Sequence, residues 1–279
     1  MIDPLPHPFL GSRTGAPEPG ADALVLGLAV DGGVSFRPGA AQGPSGIRAF
    51  SDSIEEWSPR CQRSLEDLDV VDLGDHTEPP ATVETLVGGI LGQAWTDPAR
   101  PLLACLGGDH SVTPPVVRAV AARSDRLAVV GFDAHLDLRE DYPGDHACTY
   151  RRIADAGVPC FVFGPRSGAK SEWDDVPKVL EYYSQSLRMP PEVRSALEGR
   201  DVYVTLDIDV LDPSAAPGTG TPEPGGPGSE ELIRAVEALE GLRIVAFDLV
   251  EVAPPLDTGI TQAVAAVLVR EMLLRFVSR

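Results

Sequence analysis

Three side chains able to ligate a metal follow one another at i, i+2 and i+4 in the stretch GFDAHLD: Asp133, His135 and Asp137. The apolar run before them, Leu127 to Phe132, reads as a short buried strand. If that strand continues, alternation puts all three side chains on one face; if it bends after Asp133, they still crowd around one point. A single Asp in such a place is a solvated turn, but buried carboxylates that are neither paired nor metal-bound are costly. The cluster therefore calls for a cation. Asp201 to Leu206 repeats the pattern and delivers Asp207 and Asp209, with Asp212-Pro213 beyond. Leu102 to Leu106 ends in GGDHS, where Gly107-Gly108 allow a tight turn that aims His110 at the same place. Two histidines and four aspartates suit a pair of hard or borderline divalent ions, and Mn2+ fits that donor mix better than Zn2+.

For three strand ends to meet, the chain must form a parallel sheet, whose carboxyl ends share one edge. The pattern supplies it. Ala23 to Val30 is a continuous apolar run, Val70 to Leu73 a second strand, and Phe161 to Phe163, Asp201 to Leu206 and Ile244 to Leu249 continue the series. Helices are expected near 47–50, at 81–93, after His110, and near 148–156, 191–199, 229–240 and 259–276. Ser111, Thr113 and Pro114-Pro115 make the start after His110, since a hydroxyl caps free amides and proline lacks an N–H that would go unused. Repeated strand–helix units define an α/β fold, a three-layer αβα sandwich with a mostly parallel central sheet. Residues 1–21 read as an N-terminal arm, and 22–279 as a single catalytic domain. The Gly- and Pro-rich stretch from Asp31 to Gly46 reads as a shaped loop. Arg37 and Arg48 read as structural ion-pair partners, Asp109 as a turn residue, Asp212 and Asp248 as supporting groups, and His76 as a surface residue.

With 279 residues, 43% of them apolar, the chain has ample material for one large core. A formal charge of −19 argues against nucleic acid as a partner and favours a small cationic substrate or a metal ion. Ala263 to Phe276 is short and interrupted by Arg270 and Glu271, so it reads as a buried helix, not a membrane span. Residues 1–20 lack the apolar segment of a signal peptide, and Cys61, Cys105, Cys148 and Cys160 show no paired spacing. These features point to a cytoplasmic protein.

GGDHS, DAHLD and LDIDVLDP, in this order, resemble the signature blocks of the ureohydrolase (arginase/agmatinase) family. APGTGTPEPGG at 216–226 and DLVEVAPPLD at 248–257 resemble its agmatinase branch, and the likeness runs from about Val25 to the C-terminus. The resemblance implies an arginase-like fold and hydrolysis of a guanidino group to urea and an amine, with agmatine giving putrescine as the leading substrate. Other guanidino compounds remain open: 4-guanidinobutyrate, arginine, aminopropylagmatine or a hydroxyguanidine. So does a formiminoglutamase-type C–N hydrolysis. By resemblance two manganese ions per subunit are held, one by His110, Asp133, Asp137 and Asp207, the other by Asp133, His135, Asp207 and Asp209. A trimer or hexamer is implied as well. His146 matches a histidine that shuttles protons or orients substrate, and Glu251 lies where a carboxylate can receive a planar guanidinium. Arg139 is a candidate partner for a substrate carboxylate. The loop LREDYPGD, 138–145, is shorter than in archaeal-type agmatinases, and Asp145 stands where a Ser usually precedes the histidine. Asp141 and Asp145 would suit a distal ammonium.

Overall fold

The computed structural model describes residues 2–3, 7–96, 100–140 and 146–277. Eight parallel strands form its centre: β1 (Ala23–Leu28), β2 (Val70–His76), β3 (Leu102–Gly107), β4 (Leu127–Phe132), β5 (Cys160–Phe163), β6 (Tyr182–Ser184), β7 (Asp201–Asp207) and β8 (Arg243–Val250). Their spatial order is β2-β1-β3-β8-β7-β4-β5-β6, with Ile2–Asp3 antiparallel and Arg13–Thr14 parallel to β2. β1, β3 and β4 are buried at every position, because apolar layers cover both faces. Helices α2 (Pro80–Ala94), α3 (Thr113–Ala121), α4 (Thr149–Asp155) and α5 (Lys170–Val179) pack on one face. The other carries α1 (Gly43–Ser51), α6 (Pro191–Leu197), α7 (Ser229–Glu237) and α8 (Ile260–Phe276). This is the expected three-layer αβα sandwich.

Alternation along β7 shows how one strand serves both layers. Val202, Val204 and Leu206 enter the core under α6–α8, while Tyr203 enters the opposite one. Thr205 and Asp207 share Tyr203's face by the same period. In α8 the charged pair that interrupts the apolar run is held internally: Arg270 Nη2 donates to Glu271 Oε1 at 2.7 Å and Nη1 to Glu55 O at 2.9 Å. No helix among the described residues is long and apolar enough to cross a membrane.

Several expectations are refined. His76 is buried at 3% exposure, with Nε2 2.8 Å from Thr82 Oγ1, because the β2 edge is covered and not open to solvent. Arg48 is structural, held by Asp72 and Asp75. Arg37 instead donates to backbone carbonyls, Nη2 to Thr219 O at 2.6 Å and Nε to Gly220 O at 3.1 Å. Phe9 lies fully buried in the core, its N–H donating to Asp72 Oδ2 at 2.8 Å, so this part of segment 1–21 packs with the sheet. α5 and β6 were absent from the sequence pattern.

Candidate metal centre and active site

Four neighbouring strands, β3, β8, β7 and β4, end at one edge and bring the candidate residues together. After β3, Gly108 lies so close to the Val30 backbone that a Cβ would overlap it. Asp109 N donates to Val30 O at 2.9 Å, and its carboxylate accepts from Ser111 N at 3.0 Å and Gly33 N at 2.7 Å. That turn residue pins the glycine loop to the start of a 3₁₀ turn, His110–Val112, which leads into α3. Of the two paths open beyond β4, the chain takes the bend: Asp133 N still donates to Phe163 O at 3.0 Å, and His135 bridges to Ser167.

His110 Nδ1 lies 3.2 Å from Asp133 Oδ2, 3.2 Å from Asp137 Oδ2 and 3.4 Å from Asp207 Oδ2. His135 Nδ1 lies 2.9 Å from Asp209 Oδ2 and 3.7 Å from Asp133 Oδ1. The two sets, His110–Asp133–Asp207 and Asp133–His135–Asp209, each gather donor atoms close enough to hold one ion. Asp133 belongs to both, with one oxygen turned to each. His110 Nδ1 and Asp133 Oδ2 are buried without a hydrogen-bond partner, which fits a pair of atoms facing a metal.

Electrostatics lead the same way. Burial and the neighbouring Asp137 push Asp133 up to about 7. Burial and Asp209 push Asp207 well above the usual carboxylate range. Burial opposes charge on His135, yet Asp209 and Asp133 lift its imidazolium to about 11. His110 is likewise raised against its burial by the three facing carboxylates. Asp209 is held low, His135 outweighing burial. A cluster that retains protons at neutral pH is short of positive charge, which divalent cations would supply in their place.

His146 sits beside the cluster with Nδ1 2.9 Å from Glu251 Oε1 and Nε2 2.8 Å from Ser35 Oγ. Glu251 Oε1 also accepts from His110 N at 2.9 Å. A carboxylate so engaged cannot clamp a guanidinium with both oxygens; Oε2 alone is left for that. Asp137 and Glu251 both hold left-handed backbone, φ 47° and 63°, a strained state that the surrounding contacts maintain. A cavity of about 420 Å³ opens above the ligands, lined by Ser35, His135, Asp137, His146 and Thr221 and, towards the mouth, Arg139. Arg139 Nε lies 3.6 Å from Glu172 Oε2. Asp141 and Asp145 lie outside the described residues. A larger cavity, about 810 Å³, lies at the amino ends of β5 and β6, remote from these ligands.

Sequence reasoning missed Ser35, Thr205, Glu172 and Thr221. Glu172 accepts from Leu138 N at 3.0 Å and Ala169 N at 2.8 Å, tying two walls of the cavity together. Thr205, two residues before Asp207, had a signal in the alternation; the others needed the fold.

A parallel-sheet edge carrying two His-and-carboxylate sets joined by one aspartate defines a metal-dependent hydrolase. The arginase family model matches residues 21–274, and the chain belongs to the arginase family. It is 40% identical to the agmatinase of Bacillus subtilis, covering 96% of each chain, and 40% identical to that of Bacillus anthracis, covering 92% of each. The solved proclavaminate amidino hydrolase of Streptomyces clavuligerus superposes with a TM-score of 0.88 at 30% identity, over 98% of both chains.

Proposed function

We propose that this protein hydrolyses the guanidino group of agmatine to urea and putrescine, using two manganese ions. The observation that carries the reading is Asp133, whose two oxygens face different imidazoles. His110, Asp133, Asp137 and Asp207 would hold one ion, and Asp133, His135, Asp207 and Asp209 the other. When bound, the pair supplies Lewis acidity, bringing the pKa of a held water towards neutrality. Around that chemistry the protein's own groups have separate tasks. Asp137, beside the cavity, helps fix where the water attacks the guanidino carbon. Glu251 orients the His146 ring through Nδ1 and offers Oε2 to one guanidinium N–H. His146, 7% exposed and lining the cavity, delivers a proton to the nitrogen that leaves as the amine when the C–N bond breaks. Ser35 holds Nε2 of the same ring.

Free cysteines at 61, 105, 148 and 160 fit a reducing, cytoplasmic setting, and we extend the reading to a homo-oligomer. One observation favours a second substrate. Arg139 brings a cation to the cavity wall, its Nε 3.6 Å from Glu172 Oε2. That arrangement suits a guanidino acid such as 4-guanidinobutyrate. Urea release with added Mn2+ from agmatine, 4-guanidinobutyrate and arginine tests both readings. Agmatine is expected to give the highest kcat/KM; preference for the acid reverses the order, and no urea from any of them overturns the activity.

A further inference from the structure

Arg166 lies just beyond the end of β5 and is half-buried. Its Nη2 donates to Glu223 O at 2.6 Å, Asp209 O at 3.1 Å and Leu211 O at 3.4 Å. Nη1 donates to Val210 O at 3.1 Å and Gly164 O at 3.3 Å, and Nε to Pro224 O at 3.3 Å. Each of these acceptors is a neutral backbone carbonyl, although the guanidinium fork matches carboxylates better. Gly226 permits the approach, since a Cβ there would lie 2.6 Å from Nη2. The main chain of the same residue holds another segment: Arg166 N and Ser167 N donate to Ala134 O at 2.8 and 3.0 Å, between Asp133 and His135. Nothing in the reaction described above uses Arg166.

We propose that Arg166 is a positioning residue for one ion of the pair, the one set between Asp133, His135 and Asp209, and that it ties this half of the centre to the lip of the cavity. Asp207 is placed by the sheet itself, because it is still within the β7 ladder opposite Val250. Asp209 has left the strand and lies in the 3₁₀ turn Ile208–Val210. The carbonyls of Asp209, Val210 and Leu211 close that turn, and the guanidinium gathers all three, a favourable place for a cation. His135 is placed through Ala134, whose carbonyl rests on the Arg166 amide. One residue thus fixes both ligands particular to this set, its side chain holding one and its main chain the other. His110, in the other set, is anchored elsewhere: its N–H donates to Glu251 Oε1 at 2.9 Å and its carbonyl accepts from Thr149 Oγ1 at 2.9 Å. The bonds to Glu223 and Pro224 extend the same hold to the loop of Thr221, which lines the cavity. Lysine keeps the charge, but its donors radiate from a single nitrogen and cannot span this spread of carbonyls.

This inference rests on the metal reading, and Mn2+ titration calorimetry on the full-length protein tells their failures apart. If the unmodified protein binds no Mn2+, the metal reading falls and takes the inference with it. If it binds two ions, Arg166→Lys is expected to weaken one of them by about 10–100-fold and to leave the other unchanged. A merely structural role would weaken both or neither, and either result overturns the proposal. Should Arg166→Lys not fold, hydrogen exchange of the unmodified protein decides. As Mn2+ is raised through its two binding steps, the amides of Arg166, Ser167 and Gly225, which donate to Ala134 O and Asp212 Oδ2, are expected to slow in one step. Those of His110 and Ser111, which donate to Glu251 Oε1 and Asp109 Oδ1, should slow in the other. Arg166 and Gly225 responding in different steps, or both responding together with His110, would overturn the assignment.

Discussion

Asp133 is the residue at which the two ligand sets meet, and this singles it out among the six candidates. His135 serves one set only. Loss of His135 to Ala should therefore remove one ion per chain, while Asp133→Asn should remove both; metal analysis of the purified variants reads the difference directly. Equal metal content in the two would refute the shared carboxylate. Glu251 permits a sharper separation. Its Oε1 accepts from both His146 Nδ1 and the backbone N–H of His110, a candidate ligand, so truncation to Ala disturbs more than catalysis. Glu251→Ala should cost about 1–3 kcal/mol in stability by orphaning the His110 amide. Glu251→Gln keeps an acceptor for that amide, and should leave Mn2+ content unchanged while lowering kcat by about 10²–10⁴-fold. If Glu251→Gln loses metal, the carboxylate is a structural support of the cluster and no more.

At the scale of elements, what could be read in advance was what chain-local chemistry decides. Apolar runs ending in DAHLD, DID and GGDHS contain both the strand and its ligands within about ten residues, and no distant partner is needed to interpret them. Ser35 and Glu172 were hidden because their partners lie 111 and 34 residues away. His76 looked exposed because the cover over the end of β2 comes from elsewhere in the chain. α5 escaped notice for a local reason, its polar composition and internal Pro177, which leave it few apolar positions to mark a face. The turn after β3 is the element most exposed to test. A Cβ on Gly108 would overlap the Val30 backbone, so Gly108→Ala should destabilise by more than about 2 kcal/mol in denaturant unfolding. Gly89, exposed inside α2 with open space around its Cβ position, is the control: Gly89→Ala should stabilise by about 0.5–1 kcal/mol. Similar values for both would mean that the turn yields and that His110 is less firmly aimed.

The whole molecule carries a formal charge of −19 and buries part of its excess negative charge in one cluster, so its stability must depend on what neutralises that cluster. Without metal, protons do so. Asp133, raised to about 7 from an ordinary value near 4, favours folding while protonated, and this contribution fades as pH rises through that interval. His135, raised to about 11, contributes stability that is complete below its unfolded value near 6.5 and is lost on the way up to 11. Both have the same sign: the folded state binds more protons than the unfolded, so the metal-free protein should lose stability between pH 6 and pH 8. Metal binding runs the other way, since protons must leave before ions enter, and affinity grows with pH. The rise in Tm on adding Mn2+ should accordingly be larger at pH 8 than at pH 6. At a hundredfold excess over Kd it should reach roughly 5–10 °C for a chain of this size. Thermal unfolding of EDTA-treated protein at the two pH values, with and without Mn2+, measures all four quantities. A metal-induced shift that is the same or smaller at pH 8 would mean that protons and ions do not compete for these side chains.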